Sequence, residues 1–176
     1  TFKNEILLAD DLNPGKLTAV RHANGRDWWL YCHQVNSARY FRFFVDPTGI
    51  TGPVAQDIGS MWDPQSGQVC FSPDGSRFAN YWSTTDLDIF DFDRCTGLFS
   101  NPIHIPIADG EGGAGVAFSP NSQLLYVSSY IDAYQFDLMA SDIPGSMVLI
   151  AEWDTFYSPF PPFATVFDMA QLAPDG

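Results

Sequence analysis

The sequence is poor in basic residues. Its 176 residues include 8 Lys and Arg against 21 Asp and Glu, which gives a formal net charge of -13. A surface of this sign repels the phosphates of nucleic acids and the headgroups of anionic membranes. Nucleic acid is therefore not expected as a partner, and a well-solvated acidic surface is the simplest explanation of the charge.

Long apolar runs are also missing. No stretch approaches the roughly 20 residues that a membrane-spanning helix needs, and the longest runs, such as residues 147–151, have the length of a strand. We expect no membrane insertion. The chain starts at Thr1 without a signal-peptide pattern, so we expect a processed protein or a piece of a longer one.

Cysteine is scarce, with three residues and no C-x-x-C pair. This excludes a disulfide framework and gives no support to zinc or thioredoxin-like chemistry. Cys32 and Cys70 lie in apolar stretches and are predicted to be small buried side chains, and the redox state of all three thiols stays open. Cys95 lies in a predicted turn beside Arg94, whose charge favours a thiolate.

The chain does contain repeats. Residues 69–75 (Val-Cys-Phe-Ser-Pro-Asp-Gly) return at 116–122 as Val-Ala-Phe-Ser-Pro-Asn-Ser, and residues 87–93 are echoed at 131–137. No helical period extends over 11 or more residues. A strand-based repeat of roughly 40–50 residues is typical of β-propeller blades, so the predicted fold is an all-β propeller of four-stranded antiparallel blades.

Three full blades are predicted at residues 16–58, 67–107 and 115–153, with partial blades at 4–9 and 165–176. The fourth strands are expected near 51–58, 103–107 and 147–153. Val69, Phe71, Val116 and Phe118 should be buried between neighbouring sheets. Since a half-blade leaves unpaired strand edges, we expect the 176 residues to be part of a larger propeller; closure by residues 4–9 is the alternative.

Four segments together resemble a known group of proteins. They are residues 17–29, 71–75 with 87–97, 118–122 with 125–128, and 169–176. The chain resembles the WD40-like or YVTN-type propeller region of large secreted Bacteroidota proteins that end in a type IX secretion sorting domain. The resemblance implies a secreted or cell-surface protein, although these residues contain no sorting domain.

Residues 110–115 fit G-x-G-x-x-G, the pattern of a dinucleotide-binding turn. That turn requires a helix after the last glycine, whereas the sequence continues into the repeat strand Val-Ala-Phe-Ser-Pro. A glycine-rich connector between blades is the better interpretation. We therefore predict no nucleotide cofactor.

The cluster of aspartates between residues 86 and 93 is not predicted to bind one cation. On a strand, Asp86 and Asp88 face one side and Asp91 and Asp93 the other, so they do not form a calcium site by themselves. Asp93 and its repeat counterpart Asp137 are expected to bond backbone amides of their own turns.

The three histidines are also predicted to lie apart. His22 should serve its turn near Asp27, and His33 should lie near Lys16, so the two do not share a metal; His104 follows much later in the chain. No serine lies in a nucleophile elbow. We therefore predict no catalytic residues and no metal ligands.

Trp28 and Trp29 are adjacent on a predicted strand, so they face opposite sides. One should pack between blades and the other lie near the surface, where it could stack on a sugar.

Three functions remain in competition. A non-enzymatic interaction or scaffold module is favoured, bound to another protein or to other domains of the same polypeptide. The alternatives are a lactonase-like or other hydrolytic propeller with a metal in its channel, and a propeller that binds surface glycans.

Overall fold

The structure is a computed structural model that describes residues 5–63, 67–82, 84–107, 112 and 115–172. Twelve strands are assigned in these ranges, and they form three antiparallel sheets of four. The first sheet contains β1 (Thr18–Arg21), β2 (Trp28–His33), β3 (Ser37–Asp46) and β4 (Gly49–Trp62). The strands pair in chain order, each with the next, as in a propeller blade.

The second sheet repeats this order with β5 (Gln68–Phe71), β6 (Arg77–Trp82), β7 (Asp86–Asp93) and β8 (Leu98–Ile105). The third contains β9 (Gly115–Phe118), β10 (Leu124–Ser128), β11 (Asp132–Asp137) and β12 (Val148–Glu152). A 3-10 turn, Pro144–Ser146, precedes β12. No helix of the described residues is long and apolar enough to cross a membrane.

The repeated turns between first and second strands are built alike. In the second sheet Ser72 Oγ donates to Asp74 Oδ1 (2.6 Å), and the Gly75 amide donates to the Ser72 carbonyl (2.8 Å). In the third sheet Ser119 Oγ donates to Asn121 Oδ1 (2.7 Å), and the Ser122 amide donates to the Ser119 carbonyl (2.9 Å). The predicted equivalence of these turns is confirmed.

The core lies between sheets rather than within one. One cluster joins the first two sheets and is rich in aromatic rings, such as Tyr31, Tyr40 and Phe90. Another joins the second and third sheets around Leu87, Val116 and Phe136. Packing between face-to-face sheets requires apolar residues on both faces of the middle sheet, and β7 provides them, with Leu87, Ile89 and Phe90 all buried.

Several predicted details need correction. Residues 5–9 form no strand, because Leu8 packs on the face of the first sheet against Cys32, Phe41 and Phe43 instead of pairing along a strand edge. The fourth strands begin earlier than predicted, at Gly49 and Leu98, since each follows its third strand through a tight turn.

Residues 165–172 form no inner strand either; they make only an isolated bridge between Phe167 and Tyr130. The reason is Gln68, whose side chain binds both backbone groups of Ala170, at 2.6 and 2.9 Å. Residues 173–176, where a repeat turn was predicted, lie outside the described residues. The burial predictions hold for Val69, Val116 and Phe118, but Phe71 is only half-buried.

Candidate functional site

The first strands of adjacent sheets lie side by side, and a groove of about 560 Å³ opens between β1 and β5. We call it the β1–β5 groove; it is lined by Thr18, Arg21, Trp28, Ser72, Asp74 and Arg94, among others. Its volume is within the range of small-molecule binding sites. It combines hydroxyl groups, both signs of charge and an aromatic ring.

Arg21 and Trp28 form a cross-strand pair at one side of this groove. The guanidinium of Arg21 lies over the indole ring, 5.2 Å from its centroid, a geometry that favours a cation–π contact. Both side chains are exposed, Trp28 by 41%. Across the described ranges, no protein acceptor is hydrogen-bonded to the Arg21 guanidinium. An exposed ring and an orientated, unpaired cation therefore meet at the groove.

Arg94 also lines the groove, and each of its three guanidinium nitrogens donates one hydrogen bond. Its guanidinium donates to the carbonyl oxygens of Arg21 (2.9 Å), Asp74 (3.1 Å) and His22 (3.3 Å). These bonds connect the end of β1 to the turn that follows β5. The role of Arg94 is therefore to fix the two walls relative to each other.

Asp74 provides the negative charge of the groove. Its Oδ1 accepts hydrogen bonds from Ser72 Oγ (2.6 Å) and from the Ser76 amide (2.9 Å). Burial disfavours its ionised form, but these hydrogen bonds outweigh that cost and hold the pKa of Asp74 below its usual value. The carboxylate is ionised at neutral pH, and its Oδ2 retains capacity to accept from a ligand hydroxyl.

A second, smaller groove of about 200 Å³ lies between β5, β9 and the segment around Ala170. It is mostly apolar, with Val116 and Phe118 in its wall. Cys70 lines both grooves, and its thiol donates to the Val116 carbonyl at 3.4 Å. Burial raises the pKa of Cys70 to about 12, so this thiol is unreactive at neutral pH.

A polar cluster joins the outer strands of the first two sheets. Asp88, which is 1% exposed, accepts from the Ser60 amide (2.8 Å), Ser60 Oγ (2.9 Å) and His104 Nδ1 (2.8 Å). Asp86 Oδ2 lies 3.5 Å from His104 Nε2. His104 Nδ1 also lies 3.0 Å from Ser60 Oγ. Because Nδ1 holds the proton that it donates to the Asp88 carboxylate, it cannot accept one from Ser60, so the arrangement fastens the sheets together and does not activate a nucleophile.

A buried polar network lies between the same sheets. Lys16 Nζ donates to Asn80 Oδ1 (2.5 Å) and to the Tyr81 carbonyl (3.2 Å), and it lies 4.5 Å from the centroid of the Trp62 ring. Burial lowers the pKa of Lys16 to about 7, although the charge of Asp88 opposes the shift. Sequence reasoning missed this lysine, because a single Lys beside a turn carries no signal of burial.

The predicted separation of the acids is confirmed. Asp86 and Asp88 meet around His104, whereas Asp91 lies 3.8 Å from Arg77. Asp93 Oδ1 accepts from the Cys95 amide and Asp137 Oδ1 from the Met139 amide, both at 2.8 Å, as predicted. Among the described residues, no group of three or more His, Cys, Asp or Glu side chains is arranged to hold a metal.

The histidines also lie where the strand pairing predicts. The His22 amide donates to the Asp27 carbonyl (2.8 Å), and His22 Nδ1 accepts from the Asn24 amide (3.1 Å), so this ring serves the turn. Its Nε2 then donates to the Cys95 carbonyl of the second sheet (3.1 Å). His33 is buried beside Asn13, and burial and the nearby Lys16 charge lower its pKa to about 3.

The two adjacent tryptophans divide as predicted. Trp29 is buried against the second sheet, and its Nε1 donates to the Arg94 carbonyl (2.9 Å). Trp28 is the exposed ring.

The cysteines and the glycine-rich stretch take up the remaining predictions. Cys32 is buried as predicted and Cys95 lies exposed in its turn, while Cys70 is only half-buried. Of the glycine-rich stretch, only Gly112 and Gly115 are described, and the rest of the motif lies outside the described residues.

Three four-stranded antiparallel sheets, packed face to face with their first strands side by side, define part of a β-propeller. No family model matches the sequence. No curated protein matches it either.

Similar solved structures exist. One is a protein from Lactobacillus plantarum (TM-score 0.54, 18% identity, 82% of this chain and 41% of that one). Another is the PQQ domain of a pyranose dehydrogenase from Coprinopsis cinerea (TM-score 0.54, 12% identity, 78% and 38%). A third is a candidate 6-phosphogluconolactonase from Bacteroides fragilis (TM-score 0.50, 16% identity, 78% and 38%). At these identities the likeness establishes the fold alone. The chain spans about two fifths of the length of the structures it matches.

Proposed function

We propose that this chain is a non-enzymatic binding module, a portion of a propeller that holds its ligand in the β1–β5 groove. The observation that supports the proposal is the exposed Arg21–Trp28 pair at the edge of this groove. Tryptophan and arginine are among the residue types that contribute most to the energetics of binding surfaces. The fixed walls of the groove, held by Arg94, reduce the entropy lost when a ligand binds.

An array that carries both peptides and glycans tests this proposal. We expect the fluorescently labelled chain to bind a subset of spots, and the Trp28→Ala variant to lose them. Arg39→Gln is the matched control, because Arg39 pairs with the exposed Asp57 on β3 and β4, away from the groove. Equal binding of wild type and Trp28→Ala to every spot would refute a role for the groove.

A second candidate function is lactone hydrolysis, which the name of the Bacteroides fragilis structure suggests. The residues best suited to proton transfer are His104, which is half-exposed, and its neighbours Asp86 and Asp88. Hydrolysis of 6-phosphoglucono-δ-lactone, followed in a pH-stat, tests it. A rate above that of buffer, and its loss in His104→Ala, would favour this function over simple binding.

The sequence resemblance supports a proposal on location. We propose that the protein is secreted or displayed on a bacterial surface, where its partner is another protein, another domain of the same polypeptide or a surface glycan. Antibody labelling of intact and permeabilised cells of the source bacterium tests the location. Labelling confined to permeabilised cells would contradict it.

A further inference from the structure

We infer that the β1–β5 groove binds an acidic glycan, with a uronic-acid carboxylate on Arg21 and the face of a sugar ring against Trp28. This inference rests on the proposed binding function and adds the chemical class of the ligand.

The state of the other basic side chains singles out Arg21. In the part of the chain that the structure describes, every other Lys or Arg side chain donates to a protein acceptor; these residues are Lys16, Arg26, Arg39, Arg42, Arg77 and Arg94. Arg21 keeps its donors free in a protein of net charge -13. A planar guanidinium binds a carboxylate through two parallel hydrogen bonds, so a carboxylate is its natural complement.

Trp28 adds the second recognition element. Its ring is 41% exposed in the groove and is held by the cross-strand position opposite Arg21. Arg21 lies over one face of the indole, and the exposed part of the ring offers a flat apolar surface with a polar edge, which suits the apolar face of a pyranose ring. A free inorganic anion would use Arg21 and leave Trp28 without a function, so the pair favours a ligand that has both a ring and a charge.

Asp74 explains why the ligand should also carry hydroxyl groups. An ionised carboxylate accepts hydrogen bonds and repels a second anion, so a purely anionic ligand would gain nothing at this side of the groove. A sugar acid offers hydroxyl donors to Asp74 and a carboxylate to Arg21. Thr18, on the β1 wall, adds a further hydroxyl group to the lining of the groove.

Calorimetry with tetragalacturonic acid and with its methyl ester tests the inference, because the two probes share their rings and differ in charge. We expect the acid to bind at least ten times more tightly than the ester. Arg21→Gln should remove that difference, so that the variant binds acid and ester equally. Trp28→Ala should weaken both probes. Arg39→Gln, a matched loss of charge outside the groove, should bind like wild type.

The salt dependence gives an independent check. Raising NaCl from 50 to 300 mM should weaken binding of the acid much more than binding of the ester, because salt screens an exposed ion pair. Two results would overturn the carboxylate assignment: equal affinity for acid and ester, or an Arg21→Gln variant that still prefers the acid. If binding still depended on Trp28, the proposed binding function would stand. Preference for dextran sulfate over the uronate would overturn the assignment too. Loss of Trp28 dependence in every assay would overturn both.

Discussion

Lys16 links the charge state of one buried residue to the stability of the fold. Burial lowers its pKa from 10.5 to about 7, so at pH 8 the folded protein holds a mostly neutral amine while the unfolded chain holds an ammonium. Folding therefore releases a proton in this range. Stability rises with pH wherever the unfolded state binds more protons.

We accordingly expect the melting temperature to rise between about pH 7 and 8.5. His33 contributes only near the lower end of this range, because its pKa is about 3 in the fold and 6.5 in the unfolded chain, and both states become neutral as the pH rises above 7. Above about pH 9 the trend should reverse, since burial raises the pKa of Cys32 to about 11 and that of Cys70 to about 12. Scanning calorimetry of wild type and Lys16→Met measures the slope. A slope that survives the substitution would refute the assignment to Lys16.

Phe118 offers a test of the packing between the second and third sheets. It is 3% exposed, in a wall that also contains Val116. Phe118→Ala should lower the free energy of unfolding by about 3–5 kcal/mol, because the cavity cannot collapse between two sheets. Denaturant titration gives this value. Phe160→Ala is the control, because Phe160 is 93% exposed, and its stability should match wild type.

Residue-level prediction from sequence succeeded where strand alternation decides the outcome. It predicted that one of Trp28 and Trp29 is buried and the other exposed. It also predicted that Asp86 and Asp88 face one side of their strand and that Asp91 and Asp93 face the other. It failed to find the unpaired state of Arg21, because that depends on which acceptors the neighbouring sheet brings close. The burial of Lys16 depends on packing against Asn80 and Tyr81, residues more than sixty positions away, and no local pattern encodes it.

At the scale of elements, the turns between first and second strands differ in their surroundings. Gly75 and Gly25 both have left-handed φ angles, +71° and +74°. A Cβ at position 75 would lie 2.8 Å from Cδ of Arg94, whereas one at position 25 would meet nothing within 4 Å.

Gly25→Ala therefore isolates the cost of the backbone conformation, roughly 1–2 kcal/mol. Gly75→Ala should cost more, because it also displaces the guanidinium that connects β1 to the turn after β5. Chemical denaturation of both variants measures the difference. If Gly75→Ala is no worse than Gly25→Ala, then Arg94 does not stabilise the groove in the way described.

The strand order of the elements could be predicted because each turn carries its own signal. The strands predicted at residues 4–9 and 165–172 failed because side-chain contacts replace strand pairing there. The Gln68 side chain hydrogen-bonds to both backbone groups of Ala170, and Leu8 packs on the face of the first sheet. Neither contact follows from a local periodicity, so both the first and the last predicted strands were wrong.

At the scale of the whole molecule, the third sheet has a packing partner on one side only within the described residues. It packs against the second sheet through one hydrophobic cluster, to which it contributes Val116, Leu125 and Phe136. The second sheet contributes to two such clusters, one with each neighbouring sheet. Local opening should therefore cost less in the third sheet than in the second.

Amide hydrogen exchange tests this order. We expect β9 to β12 to exchange faster than β6 and β7, and Phe136→Ala to accelerate exchange in the third sheet while protection of β2 and β3 stays unchanged. Uniform acceleration across all three sheets would show instead that the chain opens as one cooperative unit.

The placement of the core between sheets also has an evolutionary consequence. Each added blade brings one new sheet and, at the same time, one new core, so tandem duplication of a 40–50-residue gene segment extends the protein without redesigning its interior. The hydroxyl–carboxylate turn of Ser72 and its amide variant at Ser119 are then two descendants of one ancestral unit. The two turns now differ in one acceptor, and the turn with the acid, at Asp74, is the one that lines the β1–β5 groove.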